Sequence, residues 1–572
     1  MRLTTSVFCC TLLVSAAAIA APIPDAGTLL REQQQQQLPQ LPDRLPKADD
    51  AAVERAPLTD SSIKVVVKAF HFTGITGMAS EAELLELVKG ALGKEQSLAD
   101  LQRLAGQVTN YLREKGFFLA RAYLPKQDVT NGTVEIAVIG GRVDGGATIR
   151  TKGSARISNS MLQNMIKSGV KAGEPLRSDQ LERSLMLIND LPGVSAKGTL
   201  ERGASYGSTK VLVDVAEGPL FSGGISADNF GNRYTGIWRG TGFVSMNDPF
   251  GIGDQLSLNI VGAENLYQGR AGYTAQLHPS GLKGGISYSS LYYKLGKEFE
   301  ALNYDGHADT LGANLSYPLL RSRAFSLWAN AAYEYRMLHD YAAGALTKDR
   351  DLHSGTFDLS SSSLDSWGGG GLTSIKLAVT GGDTGLGNLA DAQNDAITAK
   401  TAGTYTKLNY SVARLQRVVN NLAFFGSASG QFTPQNLDSS EKFILGGPTG
   451  VRSYPVGEAS GDEGHSFTGE LRYDAPVPQN YGNLQLVGFF DAGNITLHKN
   501  AWLNSITTAT GANNYWLYGS GIGLNYSKPG QFALRGTWAH TIDSNPGRST
   551  TDKDADNLSE DNRFWMQATV WF

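Results

Sequence analysis

The chain ends on Arg563-Phe564-Trp565-Met566-Gln567-Ala568-Thr569-Val570-Trp571-Phe572 (RFWMQATVWF). A period-two reading puts Phe564, Met566, Ala568, Val570 and Phe572 on one face, and Trp565, Gln567, Thr569 and Trp571 on the other. The first face is apolar throughout and finishes on the terminal aromatic residue. A strand with lipid outside and water inside carries this pattern, and it must close against another strand because an unpaired edge is not tolerated in lipid. The pattern recurs upstream. Ile286, Tyr288, Ser290 and Tyr292 oppose Gly285, Ser287 and Ser289. Phe532, Leu534, Gly536 and Trp538 oppose Ala533, Arg535 and Thr537. Trp516, Tyr518, Ile522, Leu524 and Tyr526 oppose Gly519, Gly521, Gly523 and Asn525. Helical periodicity is absent from 220–572, where alternating segments are separated by Gly, Asn, Asp and Pro. At about 22 residues per strand and connection, that span holds about 16 strands. Sixteen candidate segments are found, an even number as bacterial single-chain barrels require. A large soluble β-protein is the alternative reading of the same segments.

Composition agrees with a membrane β-barrel. The 572 residues carry a net charge of only -4, which argues against nucleic acid as a partner. Charged residues make up 18 %, below the soluble-domain average of about 25 %. No apolar run after residue 21 reaches the ~18 residues that a spanning helix needs, which leaves a barrel open because alternating strands escape hydropathy windows. Residues 1–20 read as a signal peptide: Arg2 is followed by an apolar stretch from Val7 to Ala20, with a small-x-small site at Ala18-Ile19-Ala20. Cys9 and Cys10 both lie inside it, so disulfides, thiol chemistry and cysteine-bound zinc are not expected of the mature chain.

Three regions are expected beyond the leader. In 21–63, Ala26 to Leu38 (AGTLLREQQQQQL) reads as a polar helix ended by Pro39, Pro42 and Pro46, with an extended linker after it. A disordered leader is the other reading. Residues 64–141 and 142–219 read as two copies of one β-α-α-β-β plan. The first copy has a strand from Ile63 to Phe72, helices from Glu81 to Leu92 and Leu98 to Lys115, and strands Ala120 to Pro125 and Val134 to Gly140 forming a hairpin across Asn131-Gly132. The second has a strand near Ala147 to Lys152, helices near Ser158 to Lys167 and Ser178 to Leu191, and strands Val194 to Glu201 and Thr209 to Glu217.

Chemistry-bearing motifs are missing. There is no G-x-x-x-x-G-K-[ST] loop, H-E-x-x-H helix or G-x-S-x-G elbow. Gly381 to Asn388 (GGDTGLGN) has no following lysine and reads as a loop between strands. The eight histidines include no i, i+4 pair on a helix. No catalytic residue, metal or cofactor is therefore expected.

Four stretches resemble the TpsB outer-membrane transporters of two-partner secretion, the haemolysin and filamentous-haemagglutinin exporters. LLREQQQQQ resembles the family's pore-occupying helix. YLREKGFFLARAYLP (Tyr111 to Pro125) and LERSLMLINDLPGVSAKGTLERG (Leu181 to Gly203) resemble its first and second POTRA domains, which are periplasmic polypeptide-binding modules. FILGGPTGVRSYPVGEASGDEG (Phe443 to Gly464) resembles the long loop between barrel strands eleven and twelve. That loop carries Val-Arg-Gly-Tyr in the family, and here Val451, Arg452, Ser453 and Tyr454, with serine for glycine. Phe489, Asp491 and Gly493 match the F-x-D-x-G pattern of an inward-facing strand.

The resemblance implies α+β periplasmic repeats followed by a 16-stranded antiparallel transmembrane barrel over 220–572. It implies a pore that exports a large TpsA-type exoprotein, an adhesin, haemolysin or contact-dependent toxin, unfolded and without ATP. The other partners it implies are outer-membrane lipid and, through Phe572 as C-terminal assembly signal, the barrel-assembly machinery. The loop is expected to fold into the barrel, where Arg452 needs a counter-charge and Asp491 faces the lumen. Without the resemblance, Arg452 reads as a solvated loop residue and Asp491 as part of a strand-end turn. A BamA- or TamA-like assembly factor is the alternative function, although such relatives carry more POTRA units than the two that fit here.

Overall fold

The computed structural model describes residues 23–36, 41–44, 64–151, 153 and 155–572. The expected signal peptide and most of the linker lie outside these residues. The first helix, α1 (Ala26–Gln36), is described to Gln36.

The first α/β unit runs through β1 (Lys64–Val66), β2 (Ala69–Thr73), α2 (Glu81–Val88), β3 (Glu95–Ser97), α3 (Leu98–Glu114), β4 (Arg121–Tyr123) and β5 (Thr133–Ile139). The single strand expected from Ile63 to Phe72 is two. Val67 turns wholly into the core, so β1 pairs with β3 while β2 pairs with β5. Both helices start on a capping box, Ser80 with Glu83 and Ser97 with Asp100, in which each side chain accepts from the other residue's backbone N–H, satisfying two of the donors that lack a helical partner. The helix expected to reach Leu92 leaves α geometry at Val88 and ends in a 3-10 turn over Lys89–Ala91. Asn131-Gly132 does not close a tight hairpin. Residues 124–132 separate β4 from β5, and Gln127 hydrogen-bonds both the backbone N–H and the carbonyl of Glu135 in the manner of a strand neighbour. Gly132, at φ +79°, instead accepts from the N–H groups of Lys68 and Ala69.

The second unit repeats the order: β6 (Arg142–Thr151), α4 (Asn159–Lys167), α5 (Ser178–Asn189), β7 (Val194–Arg202) and β8 (Ser208–Glu217). Its sheet is ordered β6-β8-β7, and that of the first unit β2-β5-β4. In each, the opening strand runs parallel to the last and the middle strand antiparallel to it. β6 starts earlier than expected because Gly145 and Gly146, both at positive φ, carry it through a bulge.

Sixteen antiparallel strands then close a barrel. Outward rows are apolar, as the alternation requires: Ile286, Tyr288 and Tyr292 in the fifth strand (Lys283–Lys294), and Phe564, Met566 and Val570 in the sixteenth (Asn562–Trp571), are exposed. The first strand (Phe221–Asp228) meets the sixteenth over five paired residues, and Phe572 exchanges two backbone hydrogen bonds with Gly223 beyond them. The Gly381 to Asn388 run is not a loop. Gly381 to Leu386 belong to the ninth strand (Gly371–Leu386) and pair with the eighth (Ala345–Asp365). Glycine suits this strand because a Cβ at Gly382 would sit 2.5 Å from the Tyr405 ring.

The second unit docks on the short turns at one end of the barrel. Arg321 makes a two-pronged ion pair with Asp190 after α5, at 2.7 and 2.8 Å. The turn 248–254 offers the Gly251 carbonyl to the Ser158 N–H at 2.9 Å. Inside this turn Asp248 and Asp254 are both fully buried. Gly253 N–H donates to Asp248 Oδ1 at 2.7 Å, and the Tyr273 hydroxyl donates to Asp254 Oδ2 at 2.9 Å. Asp248 Oδ2 has no donor among the described residues. Burial, reinforced by the neighbouring Asp254 carboxylate, holds the Asp248 carboxyl above its ordinary range. A group with a raised folded-state pKa contributes stability that is complete below its ordinary pKa and lost as pH rises through the raised value. Through this group the chain is therefore expected to be less heat-stable at neutral pH than at a pH below the ordinary carboxylate range. Asp248→Asn, which keeps a neutral donor beside Asp254, is expected to shrink that loss; calorimetry of both chains in detergent at the two pH values checks it.

Candidate functional site: the filled barrel lumen

Residues 433–462 connect the eleventh strand (Leu422–Phe432) to the twelfth (Glu463–Asp474) and fold back into the barrel. The segment carries a 3-10 turn (Ser439–Glu441) and a two-residue strand pair, Phe443–Ile444 with Ser460–Gly461. Its tip is a turn in which Val451 N–H donates to the Leu445 carbonyl at 2.7 Å and Tyr454 N–H to the Val451 carbonyl at 3.1 Å. Val451, Ser453 and Tyr454 are buried. Ser453 lies outside the left-handed region, so this turn does not require glycine there.

The thirteenth strand (Asn483–Thr496) presents Phe489, Asp491 and Gly493 to this tip, because alternate residues share a face. Arg452 Nε and Nη2 each donate to Asp491 at 2.8 Å, in the planar fork that suits a carboxylate. The Arg452 N–H adds a bond to the same carboxylate at 3.1 Å, and Nη1 reaches Glu470 at 2.7 Å. The guanidinium lies 3.5 Å from the centre of the Phe489 ring. Trp565 Nε1 donates to the Arg452 carbonyl at 2.7 Å. Gly493 is bare because a Cβ there would sit 2.5 Å from Leu445 and 3.0 Å from Val451. The structure thus brings Val451 and Arg452 onto Phe489, Asp491 and Gly493, while Ser453 and Tyr454 are buried in the same turn. Phe572 is separate from them, at the barrel seam.

A second filler was legible as a helix but not as a set of contacts. α1 lies inside the lumen with Leu29 and Leu30 packed among Tyr234, Leu266, Leu291 and Phe299. Asp25 caps it, accepting from Thr28 N–H at 2.9 Å. The same carboxylate takes Lys348 Nζ at 2.9 Å, Arg350 Nη1 at 3.1 Å and the Ser439 hydroxyl at 2.8 Å. Arg350 also donates to Asp438 of the loop at 2.9 Å and to Asp340 of the wall at 2.6 Å. One guanidinium therefore joins helix, loop and barrel. Further along, Glu32 accepts from Asn232, Gln33 from Arg239, and Arg31 donates to the Lys442 carbonyl. Glutamines suit this helix because its surroundings are polar wall and loop backbone. Below it, Asp43 and Arg44 pair with Arg535 at 2.9 Å and with Asp474 at 3.0 Å.

Asp25, Asp340, Arg350, Asp438, Glu470 and Trp565 escaped the sequence reading. Only the inward phase of the strand residues was available as a signal, and phase does not pair partners. Among the described residues no group of three or more His, Cys, Asp or Glu is arranged to hold a metal ion. A resting lumen packed with a helix and a loop held by ion pairs is suited to gating passage rather than to bond chemistry.

Comparison with known proteins matches this architecture. A family model described as haemolysin secretion/activation protein ShlB/FhaC/HecB covers residues 207–526. A second, POTRA domain of ShlB type, covers residues 65–141. The chain is 31 % identical over 502 residues to the heme/hemopexin transporter protein HuxB of Haemophilus influenzae (strain 86-028NP), covering 86 % of this chain and 84 % of that protein. It is 24 % identical to the outer membrane transporter CdiB of Dickeya dadantii, over 72 % of this chain and 73 % of the relative. The solved structure of CdiB from Escherichia coli superposes with a TM-score of 0.75 at 20 % identity, covering 96 % of this chain and all of that one.

Proposed function

Because the chain belongs to the ShlB/FhaC/HecB family of haemolysin secretion/activation proteins, outer-membrane transporters of two-partner secretion, we propose that it exports one large TpsA-type exoprotein through its barrel, unfolded and without ATP. The observation that carries this reading is the lumen itself. It is closed by sixteen strands, filled by α1 and the 433–462 loop, and stands above two periplasmic POTRA-like units. In this reading the units capture an extended partner by strand addition, for which the edge strand β7 offers its backbone beyond Ala196, where Asn189 already occupies the edge. α1 occupies the lumen at rest and leaves during transport, and the Arg452–Asp491 pair keeps the loop folded in as a channel wall. Folding of the partner outside the cell draws it through. The outward apolar rows contact outer-membrane lipid, and Phe572 is read by the barrel-assembly machinery. HuxB, named for transport connected with heme and hemopexin, makes a haem-related exoprotein the first partner to seek.

The test compares secreted and outer-membrane proteins with and without the gene. Loss of one large protein from the medium, with the outer membrane unchanged, is the expected result. Depletion of several barrels would instead assign an assembly factor.

A further inference from the structure

We propose that Gly519 of the fourteenth strand (Asn514–Lys528) is a positioning residue for the in-folded loop, its bare backbone forming the socket that the Ser453 side chain fills. The inference rests on the reading above that a seated loop serves export, and it names the part of the barrel wall that determines the seating. Ser453 is 1 % exposed. Its hydroxyl lies 3.4 Å from the Tyr518 carbonyl, and its own carbonyl accepts from the Thr541 hydroxyl at 3.5 Å. The side chain therefore points at the fourteenth strand. A Cβ on Gly519 would lie 2.8 Å from Ser453 Cβ and closer still to its Oγ. The next atom, the His540 carbonyl oxygen, is 3.4 Å away, an ordinary contact. Gly519 has no left-handed backbone to preserve. The obstacle to a side chain at 519 is thus Ser453 alone, and it is fixed near the Cβ, where rotation of the hydroxyl gives no relief.

This contact controls the arginine clamp because 453 follows 452 in the chain. Arg452 is held on three sides, by Asp491, Glu470 and Trp565. A push on Ser453 away from the wall displaces the turn that aims the guanidinium, and a fork–fork pair does not survive such a shift. The neighbouring Gly521 allows no such clean exchange, since a Cβ there meets the Trp538 backbone as well as the Phe489 ring. Gly523 is the opposite case, with nothing nearer than 3.5 Å. The socket at 519 thus explains how serine occupies the third position of the Val451–Tyr454 turn.

The test is a size exchange. Both cysteines of the sequence lie in its first ten residues, so Val451→Cys, at a wholly buried site, supplies one reporter thiol in the barrel. Its reaction with a small maleimide is followed in outer-membrane fragments. Gly519→Ala is expected to speed that reaction by about tenfold or more, and Ser453→Gly added to it to return the rate to within about twofold of the parent. Gly523→Ala is expected to leave it unchanged. Heat-modifiable migration on gels reports barrel folding in each variant. The proposal is overturned if Gly519→Ala stays protected, if the double variant is as reactive or as misfolded as Gly519→Ala, or if Gly523→Ala is equally disruptive. Secretion is measured in the same strains without the reporter cysteine. An unseated loop with normal secretion leaves the Gly519 socket standing and removes the loop from the export mechanism.

Discussion

Arg452→Ala is expected to cut secretion of the partner exoprotein by at least about tenfold while the barrel still assembles. The substitution leaves Asp491 fully buried with the Thr468 hydroxyl as its remaining side-chain donor, and it deprives Glu470 of one of two arginines. Removing one partner of a buried ion pair costs about 3–5 kcal/mol, more than the ~1.4 kcal/mol that changes an equilibrium tenfold. That loss falls on the docked state of the loop. The barrel itself is held by strand ladders that Arg452 does not join, so heat-modifiable migration is expected to remain. Arg452→Lys is expected to rescue poorly, because a point charge cannot reproduce the two-pronged contact at 2.8 Å. Secretion at the parental level from a fully folded Arg452→Ala variant would exclude the clamp from the mechanism.

Asp25→Ala is expected to open the pore. Asp25 is the point where α1 meets Lys348, Arg350 and Ser439, and it also caps the helix. Its loss withdraws the buried ion pair with Arg350, the partly exposed one with Lys348, and the cap from the docked state. By the range for one broken buried pair, about 3 kcal/mol, the undocked fraction rises roughly a hundredfold. The released helix pays nothing comparable, since an alanine in water has no partner to lose. In planar bilayers the variant is expected to show a larger time-averaged conductance than the parent. Asp43→Ala is the internal control: its ion pair with Arg535 is about 40 % exposed on each side, and such a pair contributes no more than about 1 kcal/mol. Equal conductance of parent and Asp25→Ala would mean that the apolar contacts of Leu29 and Leu30 hold the helix unaided.

The two periodicities were legible because each is local. The helical face of Leu101, Val108 and Leu112 is buried, and so is the inward face of the fifth strand at Leu291 and Tyr293. Boundaries failed where a distant group intervened. Val67 breaks a strand because the core beyond it is open to its side chain, and Gly382 stays in a strand because Tyr405, on the next strand, needs the space. A glycine run is ambiguous in sequence for that reason: it permits a turn or a close approach equally.

The sequence by itself determined the class of fold and the tandem repeat, and the two motifs that meet at Arg452 and Asp491 were legible in it only through the resemblance to the TpsB transporters. Hydrophobic period and motif spacing are properties of neighbours, readable within ten or twenty residues. Only the tertiary structure decided where α1 lies, that Arg350 ties it to loop and wall, that Trp565 holds the Arg452 carbonyl, and that Gly519 receives Ser453. These contacts join residues far apart in the chain: Ala26 donates to Asp340 across 314 positions. Their pairing is set by barrel closure and strand register, which bring inward-facing residues from separate strands around one lumen. A charge on an inward strand position therefore announces that it needs a partner, and only the closed barrel says which one.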